Sequence, residues 1–249
     1  MTRVFVRPDA VDANRVRFDA AEAHHLRRVL RLRPGAVVEG TDGAGGLYTI
    51  RLVTLDGEGG WGAIEARAEP ARESPCSITL AQAILKGDRM SWLVKKATEL
   101  GVSRIVPMET ERVVARAADE GTARQARWAR IAREAVKQCG RVIVPGIDPP
   151  RAFPEVLAEV ASHDVAWVCW EGGGQTLVEA AAGTASRLLL LIGPEGGFTA
   201  DEVAAAESAG ARRVSLGPRI LRAESAGLTA VALGQFLFGD LGGRGSARP

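Results

Sequence analysis

From Pro75 onward the chain alternates short, wholly apolar segments with amphipathic ones, and few architectures accept that order. Ile78 to Leu85 is apolar except for Thr79 and Gln82, and Leu188 to Ile192 is apolar throughout. Runs of this length, bounded by turn residues, read as strands buried on both faces, the pattern of a parallel sheet. Between them the period changes to that of helices. Met90, Leu93, Val94, Ala97 and Leu100 fall on one stripe of a helix over 89–100, which Asp88 is placed to cap and Gly101 to end. Trp128, Ile131, Ala135 and Cys139 do the same over 124–139, with Gly140 at the stop. Helices are also expected from Pro154 to about Ser162, from Ala200, and from Ser225 to about Phe238, with strands at Arg104–Val106, Val165–Trp170 and Arg213–Leu216. Strands alternating with helices predict an open α/β sheet.

Before Pro75 the pattern is different. Val4–Val6, Asn14–Phe18, Ala36–Gly40 and Leu47–Leu52 read as short strands around the Gly-rich turn Asp42–Gly46, with one helix at Ala20–Leu32. Short strands at this spacing suggest a small β-barrel. The expected division is therefore 1–73 and 74–249, with no internal repeat and a frayed tail after Gly239.

Several classes are excluded by composition. The 249 residues are 46% hydrophobic, too apolar for a disordered chain. The uninterrupted apolar runs, such as Val165–Trp170 and Leu188–Ile192, are far short of the roughly 20 residues of a membrane-spanning helix. The N-terminus MTRVFVRPDA lacks the apolar stretch of a signal peptide. Cys76, Cys139 and Cys169 have no CxxC spacing, which indicates neither a disulfide framework nor a zinc site. Reduced thiols in a cytoplasmic protein without a metal are expected.

The formal net charge of +2 argues weakly against a nucleic-acid partner, but it is a cancellation. Residues 1–35 carry +4 and residues 86–141 carry +6, while 36–73 and 142–249 carry −4 each. Arg supplies 28 of the 32 positive charges, and Arg grips phosphate as a bidentate fork. Arg27, Arg28, Arg31 and Arg33 cluster in the first basic block, and Arg124, Arg127, Arg130, Arg133 and Lys137 line one face of a helix in the second.

Three strand ends carry Gly-rich loops. Leu191–Thr199 reads LIGPEGGFT, with Thr199 and Glu202 forming a capping box for the next helix. The loop matches neither a dinucleotide nor a P-loop fingerprint. Leu216–Ala226 reads LGPRILRAESA, where Gly-Pro interrupts the chain and Arg222 and Glu224 precede an apolar helix. An ion pair at a buried helix mouth is costly unless it is used. Trp170–Gly174 is the third. Ligands of open α/β sheets bind at the carboxyl ends of strands, so three such loops can line one pocket.

These loops, together with His24-His25-Leu26 through Val29-Leu30-Arg31, Lys86–Met90, Lys96–Val102, Glu111-Arg112, Gln138–Arg141 and the ending Phe238–Gly242, resemble the RsmE family of ribosomal RNA methyltransferases in the SPOUT (trefoil-knot) superfamily. The similarity spans nearly the whole chain. One departure stands out: the family usually reads Arg-Thr-Glu-Thr where this chain has Arg222-Ala223-Glu224-Ser225, so one hydroxyl is missing.

The resemblance implies a PUA-like RNA-binding β-barrel over 1–73 and a knotted α/β methyltransferase domain over 74–249. It implies a homodimer that binds S-adenosyl-L-methionine and methylates N3 of a uridine in 16S ribosomal RNA of the small subunit. The cofactor residues it implies are Trp170, Glu171, Ile192, Gly193, Pro194, Glu195, Gly196, Gly197, Leu216, Gly217, Arg219, Ile220 and Leu221. Ile220 and Leu221 would pack on the adenine. Arg222 would stabilise charge on the uracil carbonyls, with Glu224 or Glu195 as general base. Expected RNA contacts are Arg27, Arg28, Arg31, Lys86, Arg112, Arg127 and Arg141. His24 and His25 are expected to be structural or RNA-contacting, and the tryptophans to be core. The alternatives are another SPOUT enzyme acting on transfer RNA or a ribose hydroxyl, and a non-catalytic RNA-binding assembly factor.

Overall fold

A computed structural model describes residues 2–68, 73–113, 121–181 and 183–242. The expected frayed tail falls outside these from residue 243 on. The chain divides into two compact units, one of residues 1–73 with 136–144, the other of 74–135 with 145–249.

The first unit contains β1 (Arg3–Phe5), β2 (Val11–Asp12), β3 (Arg15–Phe18), α1 (Ala20–His24), β4 (Val37–Thr41), β5 (Leu47–Leu55) and β6 (Gly60–Ala68). They make one six-stranded sheet in the order β1-β4-β5-β6-β3-β2. β1 joins β4 in parallel and the other neighbours are antiparallel. Register shifts between β5 and β6 at Thr49/Ile50 and Leu52/Thr54 bend the pair, as bulges do. The alternating strands turn Val16, Phe18, Val38, Ile50 and Leu52 into one core, which Leu26 completes. The segment 136–144 joins this unit through main-chain bonds, with Val144 N–H donating to the Gly43 carbonyl.

The helix expected over 20–32 is cut short. After α1, His25–Val29 winds as a π turn in which Leu30 N–H reaches back to the His25 carbonyl, 3.0 Å. Arg31 then takes a positive φ of 55°. Leu26, Val29 and Leu30 were all to share the inner face; the widened turn keeps Leu26 buried and leaves Val29 exposed.

The second unit contains β7 (Ser77–Ala83), α2 (Arg89–Glu99), β8 (Arg104–Glu109), α3 (Gly121–Cys139), β9 (Gly146–Ile147), β10 (Arg151–Ala152), α4 (Phe153–Leu157), β11 (Val165–Cys169), β12 (Gln175–Thr176), α5 (Leu177–Ala180), β13 (Arg187–Ile192), α6 (Ala200–Ser208), β14 (Arg212–Ser215) and α7 (Ala223–Phe238). The last residues of α3 belong with the first unit. The main sheet runs β10-β8-β7-β13-β11-β14-β12, with β9 beside β8, and every pairing is parallel. Leu188–Ile192 is buried throughout, and each such side chain contributes about 1.5–3 kcal/mol. Asp88 does not cap α2 as expected: its carboxylate accepts from Arg127 instead, 2.6 Å. Trp128 and Trp167 are core residues, whereas Trp92 is exposed. Burial pushes the thiols of Cys76 and Cys169 up to about 11 and about 12, so both are unreactive near neutral pH. Among the described residues no helix is long and apolar enough to cross a membrane, and no cluster of three His, Cys, Asp or Glu could hold a metal.

Candidate functional site

β13, β11 and β14 are adjacent and parallel, with Cys169 opposite both Ile192 and Val214. Their three following loops therefore leave the same edge of the sheet. The loops after β11 and β14 form a hollow. Trp170, Glu171, Leu216, Gly217, Arg219, Ile220 and Leu221 line it, as expected, with Cys169, Ser215, Pro218 and Ala226 in addition. Cys169 and Ser215 adjoin the anticipated loops, while Pro218 and Ala226 lie within the segment 216–226, Ala226 on α7. The backbone of 215–221 turns around Gly217, whose φ of 112° suits glycine. Ser215 Oγ accepts from Gly217 N–H and donates to its carbonyl, both at 3.3 Å. Arg213 lies over the Trp170 ring, 5.6 Å from its centroid, and steadies that wall. Ile220 is 86% exposed, an unusual position for a branched aliphatic residue beside a concave surface.

The loop of 193–199 abuts this hollow without lining it. Gly197 has a φ of 68°, and a Cβ there would stand 2.2 Å from Glu171 Oε1. Gly193 and Pro194 are buried. The loop is fastened by protein groups. Gly197 N–H donates to the Pro194 carbonyl (2.9 Å), Arg112 to the Gly196 carbonyl (2.8 Å), and Gln82 Nε2 to the Gly193 carbonyl (3.4 Å). The capping box forms in full, with Thr199 N–H on Glu202 Oε2 and Glu202 N–H on Thr199 Oγ1. Glu195 Oε1 accepts from Lys86 N–H at 3.1 Å and from Arg89 at 3.2 Å.

Arg222 is the residue before α7; its side chain is exposed and makes no cap hydrogen bond. Glu224, in the first turn of α7, is buried and its Oε2 meets no donor among the described residues. The two do not form the ion pair that a capping role would require. Gln82 Oε1 is also buried without a donor, and lies where a side chain on Gly227 would collide with it, 2.5 Å. Gln82 is missing from the sequence-derived site because nothing local marks one polar residue inside an apolar strand as an anchor for the 193–199 loop.

The expected RNA contacts divide. Among the described residues Arg27, Arg28 and Arg31 are exposed and form no ion pair, and Lys86 is exposed with no partner on its ammonium group. Arg127 is exposed and bonded to Asp88. Arg112 is committed to the Gly196 carbonyl. Arg141 is buried and bonded to Glu73 at 2.6 and 2.9 Å, so its expected RNA role gives way to a structural one. Leaving that buried guanidinium unpaired would cost more than a phosphate contact returns.

A family model described as an RNA methyltransferase domain matches residues 72–235, and one described as an RNA methyltransferase PUA domain matches 18–62. The ribosomal RNA small subunit methyltransferase E of Mycobacterium bovis is 34% identical over 87% of this chain and 83% of its own length. That of Synechocystis sp. is 32% identical over 92% of this chain and 76% of its own. A solved structure of the Neisseria gonorrhoeae ribosomal RNA small subunit methyltransferase E bound to S-adenosyl methionine superposes with a TM-score of 0.87 at 35% identity, covering 96% of this chain and 99% of that one.

Proposed function

Because the chain belongs to the ribosomal RNA small subunit methyltransferase E family, we propose that it methylates N3 of a uridine in 16S ribosomal RNA, with S-adenosyl-L-methionine as donor. The observation that carries this reading is the hollow between the loops after β11 and β14. The cofactor's chemical demands fit the residues present. Its adenine needs an apolar face and backbone polar groups, and Ile220, Leu221 and the turn at Ser215–Gly217 offer both. Its cationic portion needs an acceptor, and Glu171 brings a carboxylate to the wall of the hollow. When bound, the sulfonium supplies an electrophilic methyl group.

The rest falls to the chain's own residues. Uridine N3 carries a proton, and its loss places negative charge on the ring carbonyls. Arg222, exposed and unbonded at the mouth of α7, supplies the positive field that stabilises this charge. We assign the proton-accepting role to Glu224, whose Oε2 is unspent, ahead of Glu195, whose Oε1 already takes two bonds. Glu195 and Arg112 instead hold the 193–199 loop in shape. Gly197 stands against Glu171 and backs that wall of the hollow, and Ile192 to Gly196 keep the cofactor role that the family resemblance implies. RNA contacts are assigned to Arg27, Arg28 and Arg31 in the first unit and to Lys86 and Arg127 in the second.

The reading extends to a trefoil-knotted second unit, a homodimer and a cytoplasmic location, each resting on the family resemblance. The deciding experiment adds the protein and cofactor to unmodified 16S RNA and to small subunits, and maps the product by mass spectrometry. A single N3-methyluridine is the expected result. A modified ribose or transfer RNA would replace the substrate assignment. Calorimetry with the cofactor alone separates an enzyme from a non-catalytic assembly factor, which would bind none.

A further inference from the structure

The first unit has a cavity of its own. Its walls are mostly apolar and include Phe5, Phe18 and Leu26; Glu22, His25 and Lys137 bring polar groups to it. Glu22 uses Oε2 to accept from Asp19 N–H in the capping box of α1. That leaves Oε1 for something else.

The backbone above the cavity is unusual in the same place. The π turn His25–Val29 supplies two of its lining residues, His25 and Leu26. Such turns are rare and concentrate at functional sites. Arg31, which follows, carries the only positive φ of a non-glycine residue among the described residues, a conformation that costs about 1–2 kcal/mol. The outcome is directional: Leu26 points into the core, while Arg27 and Arg28 on the same turn and Arg31 and Arg33 just after it are exposed and form no ion pair among the described residues. Four uncompensated cations beside an apolar, aromatic-walled cavity match one ligand chemistry, a phosphate chain with a planar ring that has left its stack.

We propose that this cavity captures one unstacked nucleobase of the substrate RNA, a nucleotide other than the one methylated. The base lies against the apolar walls with Phe5 and Phe18, Glu22 Oε1 and the His25 ring read its edge, and the flanking phosphates meet Arg27, Arg28 and Lys137. The side chains of a helix-bound surface cannot read the deep groove of paired RNA, whereas an extruded base can enter a cavity. The barrel unit thereby selects a position on the RNA and does more than supply charge. The proposal rests on the RNA methyltransferase reading given above.

The test uses the full chain with protein-free 16S RNA and with small subunits. Ala21 is exposed and lines the cavity, so Ala21→Trp fills it from the solvent side without touching the core. RNA affinity is expected to fall about tenfold with the salt slope of binding unchanged, because a base contact is lost and no phosphate contact is. In turnover the loss falls on the KM for RNA and spares kcat and cofactor affinity. Glu22→Gln keeps the cap acceptor and is expected to weaken RNA binding at least threefold by changing the edge it presents. Unchanged affinity in both variants, or a tenfold loss accompanied by a reduced salt slope, overturns the proposal. The two readings also fail separately. Wild-type KM in Ala21→Trp with intact methylation sinks only the cavity, whereas absent methylation with weakened 16S binding in Ala21→Trp sinks only the enzymatic reading.

Discussion

Two glycine-bearing loops leave the same edge of the sheet, and they are finished differently. The 193–199 loop is closed by the protein: its carbonyls at Gly193 and Gly196 have side-chain donors, Glu195 is tied to Lys86 and Arg89, and its helix is capped on both sides. The 215–224 segment is left open. Ser215 and Gly217 secure its turn, and then Ile220 is exposed, Arg222 makes no cap bond and Glu224 Oε2 has no donor. Glycine content alone would rank the loops the other way, since LIGPEGGFT has three glycines and LGPRILRAESA one. What separates a wall from a binding surface is whether the polar groups are already spent.

That contrast is broken most directly at Arg222. Arg222→Ala is expected to lower kcat about 10²–10³-fold at saturating cofactor, the usual cost of removing a charge-stabilising donor, with no change in Tm. Full turnover would show that the open segment binds without taking part in the chemistry. The next effect compares glycines. Gly197→Ala must adopt a positive φ and also press a methyl group onto Glu171, so a loss above about 1–2 kcal/mol is expected, read as a Tm drop of several degrees. Gly217→Ala has the same kind of φ but no atom within 4 Å of its Cβ, so strain alone acts and the loss is smaller. Equal losses would erase the distinction between a closed loop and an open one.

Arg112→Ala addresses the closed loop from behind. Removing one donor from the Gly196 carbonyl costs about 0.5–1.5 kcal/mol, so cofactor affinity should fall a few-fold. The salt slope of RNA binding should stay as it is. A slope reduced by about one would return Arg112 to the RNA surface, where the sequence pattern had put it.

These examples show which features a sequence exposes. Strand and helix order, the Thr199–Glu202 capping box and the apolar runs of the central sheet depend on neighbours within a few residues, and all are legible. The lining of the hollow was legible for the same reason, since seven of its residues lie in two short loops at strand ends. The fate of a charge is different. Arg141 meets Glu73 across 68 positions, and Glu195 meets Arg89 across 106. No local pattern announces those pairings, so arginines that look alike in sequence separate into buried struts and free cations only in the fold. The π turn at His25–Val29 escapes for a related reason: its apolar spacing satisfies an ordinary helix, and only the need to bury Leu26 while exposing the arginines selects the wider winding.

The smallest expected effect concerns the scaffold away from these loops. Glu159 bonds to Arg104 at 2.6 and 3.2 Å and also to Arg151, and these guanidinium groups hold its carboxyl down to about 2 from an ordinary 4.5. A depressed carboxylate contributes stability that is fully present above its unfolded value and is lost as the pH falls through the folded one. The contribution is therefore constant above about pH 5 and disappears between about 4.5 and 2. Glu159→Gln should lower Tm by a few degrees at pH 7, and the gap to the wild type should narrow steadily below pH 4.5. A gap that persisted at pH 2 would mean that shape rather than charge holds this corner. A gap already changing between pH 6 and 8 would point to another group, and would show that scaffold and open segment do not titrate in separate ranges.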